Sequence, residues 1–159
     1  NDSPTYIRIM RTQAEKIYGP DYKFQLGKAD VLKDGSDVVI FATGIMVVRA
    51  LKAAVALQED GIDAAVVNVH TVKPLDTETV LKYAAKCNAV VTAENHSIIG
   101  ALGSAVAETL SENRPTIMRR VGVKDRFGEV GMLNYLEKAL HLTVEDIAAA
   151  AREAVAVKK

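Results

Sequence analysis

The sequence predicts an α/β domain built on a mostly parallel sheet with helices on both faces. Three observations predict it. Residues 37–42, 64–69 and 88–93 are continuous apolar runs, the pattern of strands buried on both faces. Stretches of helical spacing separate these runs, and turn residues mark the joins. Strands alternating with helices in this way feed parallel pairing through crossover connections.

The elements follow in order. Residues 28–33 alternate as a short strand and end at Asp34-Gly35, a strong hairpin dipeptide, which predicts an antiparallel edge strand joined by a hairpin to the next. The run 37–42 ends at Thr43-Gly44. Val47, Val48, Leu51, Ala54, Val55 and Leu57 then repeat at helical spacing until Asp60-Gly61 closes the helix. The strand 64–69 stops before Lys73-Pro74, since a residue preceding proline is pushed away from helical geometry. Asp76 or Thr77 caps a helix through about Lys86, and strand 88–93 follows. A small-residue helix is expected over 100–112, a strand over 115–121 and a helix over 134–140. Thr143 with Asp146 three residues on forms a capping-box pattern that opens a final alanine-rich helix to about Val157.

Composition narrows the function classes. The 159 residues suit one domain, and 20 basic residues balance 20 acidic ones. Zero net charge argues against nucleic acid or an anionic membrane as the main partner, because both require a basic field. No apolar run approaches the roughly 18–20 residues of a membrane span. The lone Cys87 excludes an internal disulfide and points to a reducing, cytoplasmic setting. Ahead of the domain, residues 5–10 read as an apolar strand with no neighbour to pair with, and residues 12–27 as an irregular linker around Tyr18-Gly19-Pro20-Asp21. The organisation expected is therefore a last strand of a preceding domain at 1–11, a linker at 12–27 and the α/β domain at 28–159, the chain being a piece of a longer protein.

Ligands of open parallel sheets bind beyond the carboxyl ends of the strands. The segments 42–44, 70–74 and 94–97 are expected there, with the charged loop 124–129 beside them. Gly100 and Gly103 open a helix whose free N–H groups could hold an anion; the alternative is that small residues permit close packing. Glu94 and His96 could act as an acid–base pair, while a hydrogen-bonding or interface histidine in a loop is the plainer reading. No histidine spacing suits a metal. Ser104 lacks a nucleophile elbow. Arg8 and Arg11 stand on and just after the first apolar run, either as phosphate ligands or as surface charges. Residue chemistry alone thus reaches a domain without a self-sufficient catalytic constellation.

Four stretches carry a resemblance that covers nearly the whole chain. They are Asp37-Val38-Val39-Ile40-Phe41-Ala42-Thr43-Gly44-Ile45-Met46-Val47, Thr71-Val72-Lys73-Pro74-Leu75-Asp76, Val91-Thr92-Ala93-Glu94-Asn95-His96-Ser97-Ile98-Ile99-Gly100-Ala101-Leu102-Gly103-Ser104-Ala105-Val106-Ala107-Glu108, and Arg120-Val121-Gly122-Val123-Lys124-Asp125-Arg126-Phe127-Gly128-Glu129-Val130-Gly131. Together they resemble the C-terminal domain of transketolases, above all the forms split into two subunits. Asn95 departs from the family's usual second glutamate, and Ala101 from a frequent second glycine.

The resemblance implies a three-layer α/β/α fold with a five-stranded mixed sheet and one antiparallel edge strand. It implies an enzyme that moves a two-carbon ketol unit between sugar phosphates with thiamine diphosphate and Mg2+. Those cofactors are expected on the N-terminal domains or subunit of the same enzyme, so this chain alone is expected to be inactive. It would support assembly of a homodimer or heterotetramer, without nucleic-acid or membrane partners. Glu94, His96, Gly100 and Gly103 become interface or loop candidates, and Arg11 matches an arginine that binds the sugar phosphate. Deoxyxylulose-phosphate synthase and the 2-oxoacid dehydrogenase beta subunits share the domain, and a stand-alone anion- or protein-binding module remains the reading from a different class.

Overall fold

A computed structural model describes residues 4–10 and 13–158. Strands β1 (Asp30–Lys33), β2 (Val38–Ala42), β3 (Ala64–Asn68), β4 (Ala89–Ser97) and β5 (Ile117–Val123) form one sheet, in the order β1-β3-β2-β4-β5. The β2–β3, β2–β4 and β4–β5 pairs are parallel, and β1 pairs antiparallel with β3 at the edge. This is the expected α/β class: five strands, mixed, with helices on both faces.

Period-two alternation along the buried strands builds two cores. Val38, Ile40, Val66, Val91 and Ala93 face α1 (Met46–Glu59) and α5 (Val144–Val157). Val39, Phe41, Ala65, Val67 and Val90 face α2 (Thr77–Cys87) and α3 (Leu102–Asn113). Because each strand feeds both cores, β2 and β3 are buried at every position, which is why they read as unbroken apolar runs.

The helix ends obey local chemistry. Asp76 caps α2: its carboxylate accepts from the Thr79 N–H at 3.2 Å and hydroxyl at 2.9 Å, and from the Ala29 N–H at 2.9 Å. Burial would raise its pKa, but these three donors outweigh burial and hold it below the ordinary carboxylate value. Thr143 and Asp146 make the predicted capping box at α5. The short α4 (Leu133–Ala139) contributes no buried residue.

The expected connection between the first two strands fails. Asp34-Gly35 is not a hairpin turn between β1 and β2, because β3 lies between those strands. The segment instead crosses the start of β3 with its backbone almost touching it. A Cβ on Gly35 would sit 2.4 Å from the carbonyl carbon of Ala64, so the glycine serves a close crossing rather than a turn. Ser36 and Asp37 N–H groups then bond the Asp63 carbonyl at 3.1 and 2.9 Å.

Residues 4–10 make no strand with this sheet and are exposed. Residues 13–29 are irregular but fastened. The Tyr18 and Tyr22 hydroxyls each donate to Asp30 Oδ2 at 2.6 Å, their rings stack with centroids 3.8 Å apart, and Asn68 Nδ2 donates to the Tyr18 oxygen at 2.6 Å.

Candidate functional site at the carboxyl ends of β2 and β4

Strand order reverses at β2: β3 lies on one side and β4 on the other. The crevice outside the carboxyl ends of β2 and β4 is thus the topological switch point of the sheet, the usual place for a ligand in this architecture. Ala42-Thr43-Gly44 and Ala93-Glu94-Asn95 line it, tied by a Thr43 N–H to Ala93 carbonyl bond of 3.1 Å.

The segment 94–97 is not a loop beyond the strand. β4 continues through Ser97 by means of a bulge: it advances from Ala93 to Ser97 while β5 advances only from Val121 to Val123. Gly122 makes this possible. A Cβ there would lie 2.7 Å from Ile98 Cγ2, 3.1 Å from the His96 carbonyl and 3.2 Å from Glu94 Cγ. Gly122, an isolated glycine inside a strand, is the available sequence signal for the bulge.

The bulge sends Glu94 inward, where it is 1 % exposed. Its Oε2 accepts the Leu102 N–H at 3.0 Å and its Oε1 the Gly103 N–H at 2.7 Å. The N-cap residue of α3, Ala101, provides no side-chain cap, so a carboxylate reaching over from β4 takes that role and meets the positive helix end. Burial raises the Glu94 pKa above the usual carboxylate value, while the two N–H groups and the nearby His96 and Arg120 charges pull against that rise. Gly103 allows the approach: a Cβ there would meet Arg120 Cδ at 2.9 Å, Glu94 Oε1 at 3.0 Å and Thr92 Oγ1 at 3.1 Å. Thr92 Oγ1 is buried and unpartnered among the described residues.

These contacts choose between the two readings of the α3 start. The helix end is filled by the chain's own carboxylate, and its glycine serves close packing. Gly100 lies in open space with φ of +76°, and its N–H bonds Ser104 Oγ at 2.8 Å, fixing the turn into the helix. His96 is exposed, its Nδ1 lying 3.4 Å from the Ser97 carbonyl, while the Glu94 oxygens are taken by α3. The two side chains thus have different partners, Glu94 the α3 N–H groups and His96 the Ser97 carbonyl.

Arg11 lies outside the described residues. Arg8 is described: its guanidinium donates to Asn95 Oδ1 at 3.3 Å and to the Asn95 carbonyl at 3.0 Å, over the switch point. No motif spacing announced that contact, since it joins residues 87 positions apart. The charged loop 124–129 is solvent-facing, with Arg126 paired to Glu129 and bonded to the Ala139 carbonyl at 3.1 Å. Among the described residues, no three or more His, Cys, Asp or Glu side chains gather to hold a metal ion, and no helix is long and apolar enough to cross a membrane. Two shallow depressions follow Gln13–Lys16 and the face of α1 at Val48 and Val55.

With this geometry in place, comparison with known proteins becomes decisive. The transketolase C-terminal domain family matches residues 27–147. The chain belongs to that family. A 6-deoxy-6-sulfo-D-fructose transketolase subunit from Clostridium sp. (strain MSTE9) is 56 % identical over 153 residues, covering 96 % of this chain and 48 % of that protein. A 1-deoxy-D-xylulose-5-phosphate synthase from Halothermothrix orenii is 37 % identical over 146 residues, covering 89 % of this chain and 23 % of that protein. Among solved structures, a split-gene transketolase described as an inactive beta4 tetramer superposes with a TM-score of 0.88 at 45 % identity, over 94 % of this chain and 48 % of that one. The chain spans about half the length of the curated transketolase relatives it matches first. As a transketolase C-terminal domain, it carries the family's fold, with Asn95 bonded to the Arg8 guanidinium at the end of the sheet.

Proposed function

We propose that this domain is half of a split transketolase-type enzyme that moves a two-carbon ketol unit between phosphorylated or sulfonated sugars. The observation that carries this reading is the match to split transketolase subunits along nearly the whole chain. The strand-end face agrees with it. Its buried carboxylate, Glu94, is engaged at α3 as a structural cap. In this reading the partner half holds the thiamine diphosphate and its magnesium, and the cofactor would supply the carbanion chemistry there. This chain would contribute assembly and one substrate contact: Arg11, whose forked donors suit a sugar phosphate or sulfonate.

The test mixes this chain with the subunit carrying the cofactor motif, thiamine diphosphate and magnesium. Ketol transfer is then followed from xylulose 5-phosphate and, separately, from 6-deoxy-6-sulfofructose. Transfer is expected only from the mixture, and Arg11→Ala should raise KM for the charged sugar about tenfold or more, the worth of a hydrogen bond to a charged group. A folded mixture without transfer from either donor overturns the reading. Transfer by this chain alone overturns the assignment of the cofactor to the partner.

A further inference from the structure

One buried polar atom takes no part in the α3 cap or the Arg8 contact. Nε2 of His70, two residues past β3, is buried and makes no hydrogen bond among the described residues. The other ring nitrogen, Nδ1, is engaged with Thr71 Oγ1 at 2.8 Å. Nε2 stands 3.7 Å from Asp30 Oδ2, the oxygen that takes the Tyr18 and Tyr22 hydroxyls. The ring also touches the segment 13–29 directly, its centroid 4.6 Å from that of Phe24. A neutral imidazole leaves this place unsatisfied in either tautomer. With the hydrogen on Nδ1, the Nε2 lone pair faces a carboxylate; with it on Nε2, the N–H stops short of hydrogen-bond distance. A charged ring has two donors. A carboxylate offers about four lone-pair sites, and the hydroxyls take two, so the charged ring gains Asp30 without displacing either tyrosine.

We propose that His70 is a proton-responsive clasp: its charged form pairs with Asp30 and tightens the hold of residues 18–24 on the sheet edge, and its neutral form relaxes that hold. The groups around the ring leave it as the one that titrates. Burial first, and then Asp30, raise the pKa of both Tyr18 and Tyr22 above the ordinary tyrosine value, so the hydroxyls keep their protons. Asn68, which bonds Tyr18 from β3, carries no charge. Lys28, which follows in the same segment, is paired with Asp76 and Glu78 instead. Lys73, on the loop of His70, is exposed. Among the described residues no lysine or arginine pairs with Asp30, so its carboxylate is open to the ring. Histidine is the side chain whose charge ordinarily changes between pH 5 and 8. A group that gains a partner when charged strengthens the clasped state on the acid side. That contribution is lost as pH rises and the ring gives up its proton. The clasp thereby sets how firmly the segment leading into the domain lies against β1 and β3.

The experiment places a spin label on Lys23→Cys in the full chain, an exposed site between Tyr22 and Phe24; the native Cys87 is buried and stays unlabelled. Label mobility is followed from pH 6 to pH 8, alone and with His70→Gln or Asp30→Asn, and the His70 ring is titrated by NMR in the unlabelled chain. The ratio of mobile to immobile label is expected to rise about threefold across that range, the worth of a partly exposed ion pair. The rise should be absent in His70→Gln, which keeps a polar side chain without the titrating ring. It should be absent in Asp30→Asn as well, which keeps an acceptor for the hydroxyls without the charge. The midpoint of the label response should coincide with that of the His70 ring. A label ratio that stays flat or falls as pH rises overturns the clasp. A response that persists in His70→Gln overturns it too, because another group would then be titrating, and one that persists in Asp30→Asn removes the partner on which it depends. Where either variant does not fold, the two midpoints decide: coincidence supports the clasp, and separation overturns it.

Discussion

Glu94 is a carboxylate kept in the core by two backbone N–H groups and the positive end of α3. Its raised pKa is chiefly a burial effect that the N–H groups of Gly103 and Leu102 do not cancel. The folded chain therefore holds the Glu94 proton more firmly than the unfolded chain does. Its contribution to stability is present in full below the unfolded value of about 4.3 and is lost as pH rises through the folded value. Glu94→Gln should remove that fall, giving a flatter stability profile from about pH 4 upward than the wild type. At neutral pH it should still cost about 1–3 kcal/mol, because a carboxamide has one oxygen for two donors. Glu94→Ala should cost about 2–4 kcal/mol, leaving both N–H groups uncapped in the core. Urea denaturation across pH measures all three. An unchanged pH slope in Glu94→Gln would place the titration elsewhere. Gly103 and Gly122 belong to the same arrangement, since each leaves out a Cβ that would crowd the Glu94 side chain.

At the scale of elements, what the sequence makes legible is what local rules control. The buried runs of β2 and β3, the Asp76 cap and the Thr143–Asp146 box follow from periodicity and capping chemistry, and all stand where expected. The place of β1 does not follow, because a turn dipeptide says nothing of which strand the chain returns to. Gly35 answers a close crossing over Ala64, and that is a tertiary demand. The extension of β4 through Ser97 is likewise hidden, since it depends on Gly122 in another strand. The fastening of residues 13–29 has no spacing rule at all. Asp30 on β1 gathers two tyrosine hydroxyls, and burial first, then Asp30, raises the Tyr18 pKa beyond its ordinary value. Asp30→Ala should thus cost about 2–4 kcal/mol by urea denaturation, as it removes two hydrogen bonds to a charged acceptor. Tyr22→Phe removes one and should cost about half as much. Cleavage by a protease within residues 13–27 should become faster in Asp30→Ala, while a rate equal to wild type would show that packing around Ile17 holds the segment instead.

For the whole molecule, the surface carries a message that the core does not. Phe127, Val130, Met132, Leu133 and Tyr135 are all more than half exposed and fall within nine consecutive residues. They follow β5 and lead through α4, which buries nothing of its own. A run of large apolar side chains in solvent is costly for a lone domain and suited to a surface that another subunit covers. The proposed assembly, either with the cofactor-bearing half or with a second copy, supplies such a cover. Replacing Phe127 and Val130 together by serine should then separate association from folding. The melting temperature of the isolated chain should move little, because neither side chain is buried in it. Association with the partner subunit or with itself, read by sedimentation, should weaken at least tenfold, as loss of an aromatic anchor does at a protein interface. Ketol transfer by the mixture should fall in the same proportion at limiting concentration and recover when both halves are raised together. If association is as tight as in the wild type while the chain stays folded, the apolar run is not the contact that joins the halves.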